Sequence, residues 1–239
     1  MIWTYDERRN LASLEDKKEA LEFAVTLWIA MANEAIEDRG LFYCALSGGS
    51  TPRAIYEALA ERRGLVDFSK VRLYFSDERC VSQSSHESNF HMAWTAGLNE
   101  VIADEHIFPM YASGDPHEAA LAYEKLVAPI TFDLVMLGLG EDGHTASLFP
   151  HTHALRAEER QVVANFLPEK EVWRLTLTFN KINQAREIHF YVFGKSKAEI
   201  VKEVLGGPYH PDHLPAQKIG TPEHKALFIL DNEAASLIV

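Results

Sequence analysis

The sequence predicts one α/β domain spanning residues 1–239, a largely parallel sheet with helices on both faces and a smaller mixed or antiparallel portion. Three observations carry this reading. Apolar runs of strand length alternate with helical segments as far as residue 139. The runs LFYCALS (41–47), VRLYFS (71–76) and FDLVML (132–137) read as buried strands. After residue 160 several strand candidates follow at short spacing, which suits a mixed sheet or an antiparallel edge.

Taken in order, Leu14, Leu21, Ala24, Val25, Trp28, Ile29, Ala32 and Ile36 fall at helical spacing. They predict a helix over 13–38, with Ser13 as N-cap and Gly40 as its stop. LFYCALS runs into Gly48-Gly49-Ser50, and Thr51-Pro52 predicts the cap and first residue of a second helix, RAIYEALAERR. VRLYFS ends at Asp77-Glu78-Arg79. The polar loop SQSSHESN (82–89) leads into a helix near 88–99, and PHEAALAYEKLVA (116–128) predicts another. FDLVMLGL (132–139), QVVANFL (161–167), RLTLTF (174–179) and REIHFYVFG (186–194) are the next strands. KSKAEIVKEVL (195–205) is helical and stops at Gly206-Gly207-Pro208. KALFILD (225–231) closes the series, with a short helix over 231–235. The Pro- and His-rich stretch 208–224 reads as a surface loop.

A formal net charge of −12 argues against a nucleic-acid surface, because phosphate backbones need clustered Lys and Arg. It leaves room for a small anionic substrate in a local basic pocket. Cys44 lies in an apolar run and Cys80 in a loop, so a functional disulfide is not expected. The start MIWTYDERRN has no apolar signal region, and no apolar stretch reaches the roughly 18–20 residues of a membrane span. A cytoplasmic protein with no membrane partner is the expectation.

Three constellations at strand ends carry the chemistry. Gly48, Gly49, Ser50 and Thr51 sit between a strand and a helix, where backbone N–H groups and hydroxyls converge on an anion. The spacing is not that of a P-loop, and the bland alternative is a tight turn with a cap. Asp77 and Arg79 end a buried strand; Arg79 suits a phosphate or an oxyanion, and Asp77 can accept from sugar hydroxyls or steer Arg79. Gly138, Gly140 and Gly143 in GLGEDGHTASLFP (138–150) spell a dinucleotide fingerprint. Glu141 and Asp142 would repel a pyrophosphate there, and no acid stands about 20 residues on. The favoured reading makes His144 a general base, with Asp142 available to orient its ring. His151 and His153 lack a third ligand at a recognisable spacing, so no metal is assigned.

These stretches together resemble the 6-phosphogluconolactonase family. The resemblance rests on SGGSTP (47–52), DER with ESN (77–79, 87–89), GLGEDGHTASLFP, RLTLTFNKIN (174–183), GKSKA (194–198) and LPAQKI (214–219). It implies a Rossmann-like fold shared with glucosamine-6-phosphate deaminase, no metal or organic cofactor, and hydrolysis of 6-phospho-D-glucono-1,5-lactone in the oxidative pentose phosphate pathway. It also implies that Arg174 and Lys197 join the 48–51 turn as phosphate ligands. The expected partner is the small sugar-phosphate lactone, met by a monomer or weak homo-oligomer. The rivals are a deaminase-like isomerase and a non-catalytic sugar-phosphate sensor. Deaminases resemble DGHIAFNEP here, with a glutamate five residues after the histidine; this chain has Phe149. It departs from the lactonase pattern at His151, where glycine is usual, and at Phe228, where tryptophan is usual. Both departures lie outside the proposed chemistry, with an altered pocket rim as their expected effect.

Overall fold

The structure is a computed structural model that describes residues 1–238. Its frame is a seven-stranded sheet formed by β1 (Trp3–Thr4), β2 (Arg9–Leu14), β3 (Phe42–Leu46), β4 (Val71–Phe75), β6 (Leu134–Leu137), β9 (Glu187–Val192) and β10 (Ala226–Asp231). The spatial order is β1-β2-β10-β9-β6-β3-β4, with every pair parallel except β1 with β2. A second sheet of three antiparallel strands holds β5 (Asp77–Arg79), β8 (Val172–Leu177) and β7 (Val162–Leu167), in the order β5-β8-β7. The predicted mixed portion is therefore a separate small sheet. It joins the large one where the Ser76 N–H reaches the Leu46 carbonyl and the Leu177 N–H reaches the Ser76 carbonyl.

The helices are α1 (Lys17–Arg39), α2 (Ser50–Glu61), α3 (Asn89–Thr95), α4 (Pro116–Val127), α5 (Phe179–Asn183), α6 (Ala198–Gly206) and α7 (Asn232–Ala235). Ala20, Ala24, Val25, Trp28, Ala32 and Ala35 form the buried face of α1, and small residues there let the helix lie close on the sheet. Asp16, not Ser13, caps α1, accepting from the Glu19 N–H. Ser13 instead lies in β2, because β10 recruits residues 9–14 as a parallel neighbour. Likewise Gly49 is the N-cap of α2 and Thr51 is inside it. No helix among the described residues is long and apolar enough to cross a membrane.

Phe228 lies in the sheet core, fully buried and stacked on Phe190 with ring centroids 4.3 Å apart. It is not at a pocket rim, so replacing a larger aromatic there is a packing change. His151 has φ +60°, a left-handed conformation that glycine adopts freely. The 208–220 stretch is tied down rather than loose. Ala216 donates to the Gly143 carbonyl, His151 donates to the Asp212 carbonyl, and the Gln217 amide donates to the Glu203 and Pro208 carbonyls.

Candidate active site

The chain moves from β3 to β4 on one side, then returns to place β6 on the other side of β3. The carboxyl ends of β3 and β6 thus flank the point where strand order reverses, the usual crevice for a ligand in open α/β sheets. A cavity of about 280 Å³ opens there. Its walls are the loop after β3 (Ser47, Gly48, Gly49), β5 and α3 (Asp77, Arg79, Asn89), the loop after β6 (Gly138, Leu139, Gly140, His144, Ala146), and Lys197 after β9. Four strand ends therefore converge on one small polar space.

His144 is held on three sides. Its Nδ1 bonds Asp142 Oδ1, and its backbone N–H donates to the same oxygen at 3.1 Å. The ring stacks on Phe149, with centroids 4.0 Å apart and planes 19° from parallel. Lys170 Nζ covers that phenyl ring from 5.3 Å. Gly140 leaves room for the imidazole, since a Cβ at that position would stand 2.0 Å from Nδ1. Burial alone would raise the Asp142 carboxyl, but the hydrogen bond and charge of His144 outweigh it and hold the group below the usual carboxylate range. In the neutral imidazole, Nδ1–H donates its hydrogen bond to the ionised Asp142. Nε2 then carries the free lone pair, as a general base requires.

The anion end is the start of α2. Its cap residue makes no side-chain hydrogen bond and its first turn has no acidic residue, so the N-terminal N–H groups and the positive end of the dipole are available. Ser50 and Thr51 open this helix next to Gly49 but do not themselves line the cavity. Tyr56 fixes the turn from behind, accepting from the Ser47 N–H at 3.0 Å and donating to its carbonyl at 2.8 Å. Lys197 reaches in from the β9 side and donates to the Leu139 carbonyl at 2.8 Å.

Asp77 and Arg79 reach the same cavity through β5. Asp77 is buried, accepting from Ser147 Oγ at 2.7 Å and from Asn89 Nδ2 at 3.2 Å. Arg79 Nη1 donates to the Glu87 carbonyl. Asn89 and Ser147 carry no individual signal in the sequence, because a lone amide and a lone hydroxyl are common in loops. The close approach of Gly48 to Asn89 is what reveals the amide; a Cβ on Gly48 would stand 2.0 Å from Asn89 Oδ1.

Arg174 does not line this cavity. It stands opposite Arg79 across the β5–β8 pair and faces an adjoining space with Lys170, Trp173 and Tyr111. Burial first, then repulsion from Arg79, lowers its guanidinium from the ordinary value. Asp142 likewise sits behind His144, on the wall of a neighbouring cavity with Glu141, Glu203 and His213. That cavity carries three carboxylates and is unsuited to a phosphate. His153 Nε2 pairs with the Ala164 carbonyl at 2.8 Å, which is a structural contact. Among the described residues no group of three or more His, Cys, Asp or Glu side chains converges as a metal site.

Residues 15–229 match the family described as glucosamine-6-phosphate isomerases/6-phosphogluconolactonase. A 6-phosphogluconolactonase of Chlamydia trachomatis is 38% identical over 238 residues, covering 98% of this chain and 92% of that protein. One from Synechocystis is also 38% identical, covering 92% of this chain and 95% of its own length. The solved 6-phosphogluconolactonase of Trypanosoma brucei superposes with a TM-score of 0.86 at 28% identity, over 96% of this chain and 98% of that one. A monomeric glucosamine-6-phosphate deaminase, 22% identical with a TM-score of 0.74, shares the fold. The chain belongs to the glucosamine-6-phosphate isomerase/6-phosphogluconolactonase family.

Proposed function

We propose that this chain hydrolyses 6-phospho-D-glucono-1,5-lactone to 6-phosphogluconate, with His144 as general base. The observation that carries the reading is His144 itself, clamped between Asp142 and Phe149 at the edge of a cavity whose far wall is an open helix N-terminus. The names of the relatives support the same chemistry.

The phosphate docks at the open start of α2, where Gly48 and Gly49 line the cavity and Ser50 and Thr51 begin the helix, with Lys197 supplying countercharge. This anchor orients the lactone ring toward His144. Nε2 takes a proton from water as the water oxygen bonds to C1. Arg79, with N–H groups of the glycine turns, stabilises the oxyanion that forms on the carbonyl oxygen. The tetrahedral species collapses, the bond between C1 and the ring oxygen breaks, and the imidazolium returns its proton to that oxygen. The new carboxylic acid ionises, so each turnover releases one proton. No covalent intermediate forms. Arg174, the cross-strand neighbour of Arg79, adds positive charge beside it from the adjoining space.

The deaminase alternative needs a carboxylate where Phe149 stacks on His144. Removing it leaves too few acid groups for ring opening and proton shuttling, while lactone hydrolysis needs only one base and one donor. The test is to generate the lactone in situ with glucose-6-phosphate dehydrogenase and follow its disappearance against the spontaneous rate, with glucosamine 6-phosphate offered in parallel. Accelerated lactone loss without ammonia release supports the reading; the reverse result overturns it.

A further inference from the structure

Glu78 is 1% exposed, yet its carboxylate is one of the most heavily bonded groups in the chain. Oε1 accepts from the Arg79 N–H at 2.7 Å and the Asn89 N–H at 2.8 Å. Oε2 accepts from the Phe90 N–H at 2.9 Å and Ser88 Oγ at 3.0 Å. Three of these four donors are backbone groups, one on β5 and two in the first turn of α3. Ser88, the N-cap of α3, supplies the fourth.

The carboxylate therefore ties the end of β5 to the start of α3. Arg79 and Asn89, the two residues whose N–H groups meet on Oε1, are also two of the three that line the cavity from this side, with Asp77. The grip is reciprocal, because the Arg79 guanidinium donates to the carbonyl of Glu87 in the lead-in to α3. Burial raises the Glu78 carboxyl, and the four donors offset part of that. No basic side chain forms an ion pair with it among the described residues. An acid kept in the core without an ion pair is costly unless every lone pair is used. α3 already has a neutral cap in Ser88, so capping the helix does not account for keeping a carboxylate here.

We propose that Glu78 is a positioning residue that sets the Arg79 guanidinium against the oxyanion site by fixing β5 to α3. This rests on the lactonase reading and on the oxyanion role of Arg79. Glutamine at this position offers one acceptor oxygen and turns an NH₂ toward backbone donors, so the β5–α3 junction must open.

The test is a double-substitution cycle on lactone hydrolysis by the full chain. Glu78→Gln is expected to lower kcat by about tenfold or more, up to the roughly 10²–10³-fold of losing an oxyanion donor outright. KM is expected to stay within about threefold, because the phosphate anchor lies on α2. The pH midpoint of kcat is expected to stay with the wild type, because His144 sits on a different loop. On an Arg79→Ala background the same change is expected to cost less than about threefold, since its effect runs through Arg79. Full multiplication of the two losses overturns the proposal, and so does an unchanged kcat in folded Glu78→Gln. Should Glu78→Gln not fold, Glu78→Asp keeps the charge and shortens the reach by one methylene; a wild-type kcat in that variant overturns it equally. An inactive wild-type chain would instead refute the lactonase reading itself.

Discussion

Gly140→Ala isolates the placement of the base from its chemistry. The added Cβ would stand 2.0 Å from His144 Nδ1, 2.2 Å from Cε1 and 2.7 Å from Asp142 Oδ1. Ordinary contact begins at 3.4 Å, so the imidazole must withdraw by about 1.4 Å. It cannot do so freely, because Asp142 holds one edge and Phe149 one face. Gly140 is not among the positive-φ residues, so the damage falls on the ring and on the Asp142 carboxylate that orients it rather than on a left-handed backbone. A displacement of about 1 Å at a reacting group costs on the order of 10²-fold, or about 2.7 kcal/mol of barrier. The expected result is a kcat about 100-fold lower. KM is expected to stay near its wild-type value, because the phosphate anchor on α2 is untouched. Proton release from pulse-generated lactone, followed in a weak buffer with an indicator, measures both. A wild-type kcat in Gly140→Ala would refute the clamped-imidazole geometry, and so would a loss expressed only in KM.

Other outcomes follow from the same structure. Lys197→Ala is expected to raise KM by about tenfold or more with a smaller effect on kcat, since the lysine meets the phosphate equally in ground and transition states; steady-state kinetics decide it. Burial pushes the Lys181 ammonium down to about 8 from 10.5, although its Nζ donates to the Val127 and Ile130 carbonyls. The folded chain then binds fewer protons than the unfolded chain between these values, so this residue's contribution to stability rises with pH across that window. Urea melts at pH 7.5 and 10 are expected to show the rise in the wild type and its loss in Lys181→Met. His151→Gly relieves a left-handed backbone at a position outside the cavity lining, and is expected to add up to about 1 kcal/mol of stability with kcat unchanged.

The strands that build the site were the most legible part of the sequence. LFYCALS and FDLVML are apolar throughout and run straight into glycines, so both their burial and their ends could be read. β2 was not readable, because RNLASL mixes polar and apolar residues and becomes a strand only beside β10, more than 200 residues away. Local spacing instead extended α1 back to Ser13. The small sheet was half legible. The strands over 161–167 and 174–179 were visible, but their partner β5 is three charged residues long and carries no strand pattern. That register also decides Arg174. Pairing opposite Arg79 sets the two arginines side by side, with Arg174 lining the adjoining space that Arg79 also borders, a fact of tertiary register that no local motif encodes. His144 was identifiable from its glycine turn, and Asp142 from its spacing, but the stack on Phe149 required the folded loop. Glu78 was passed over because its role is to accept backbone donors from a helix eleven residues later.

The central claim is that His144 Nε2 activates the water. The most direct measurement is kcat for lactone hydrolysis by His144→Ala, with binding of 6-phosphogluconate to the same protein measured by calorimetry. The account predicts a kcat lower by about 10²–10⁴-fold with product affinity largely retained. Near-normal turnover in that variant would contradict it.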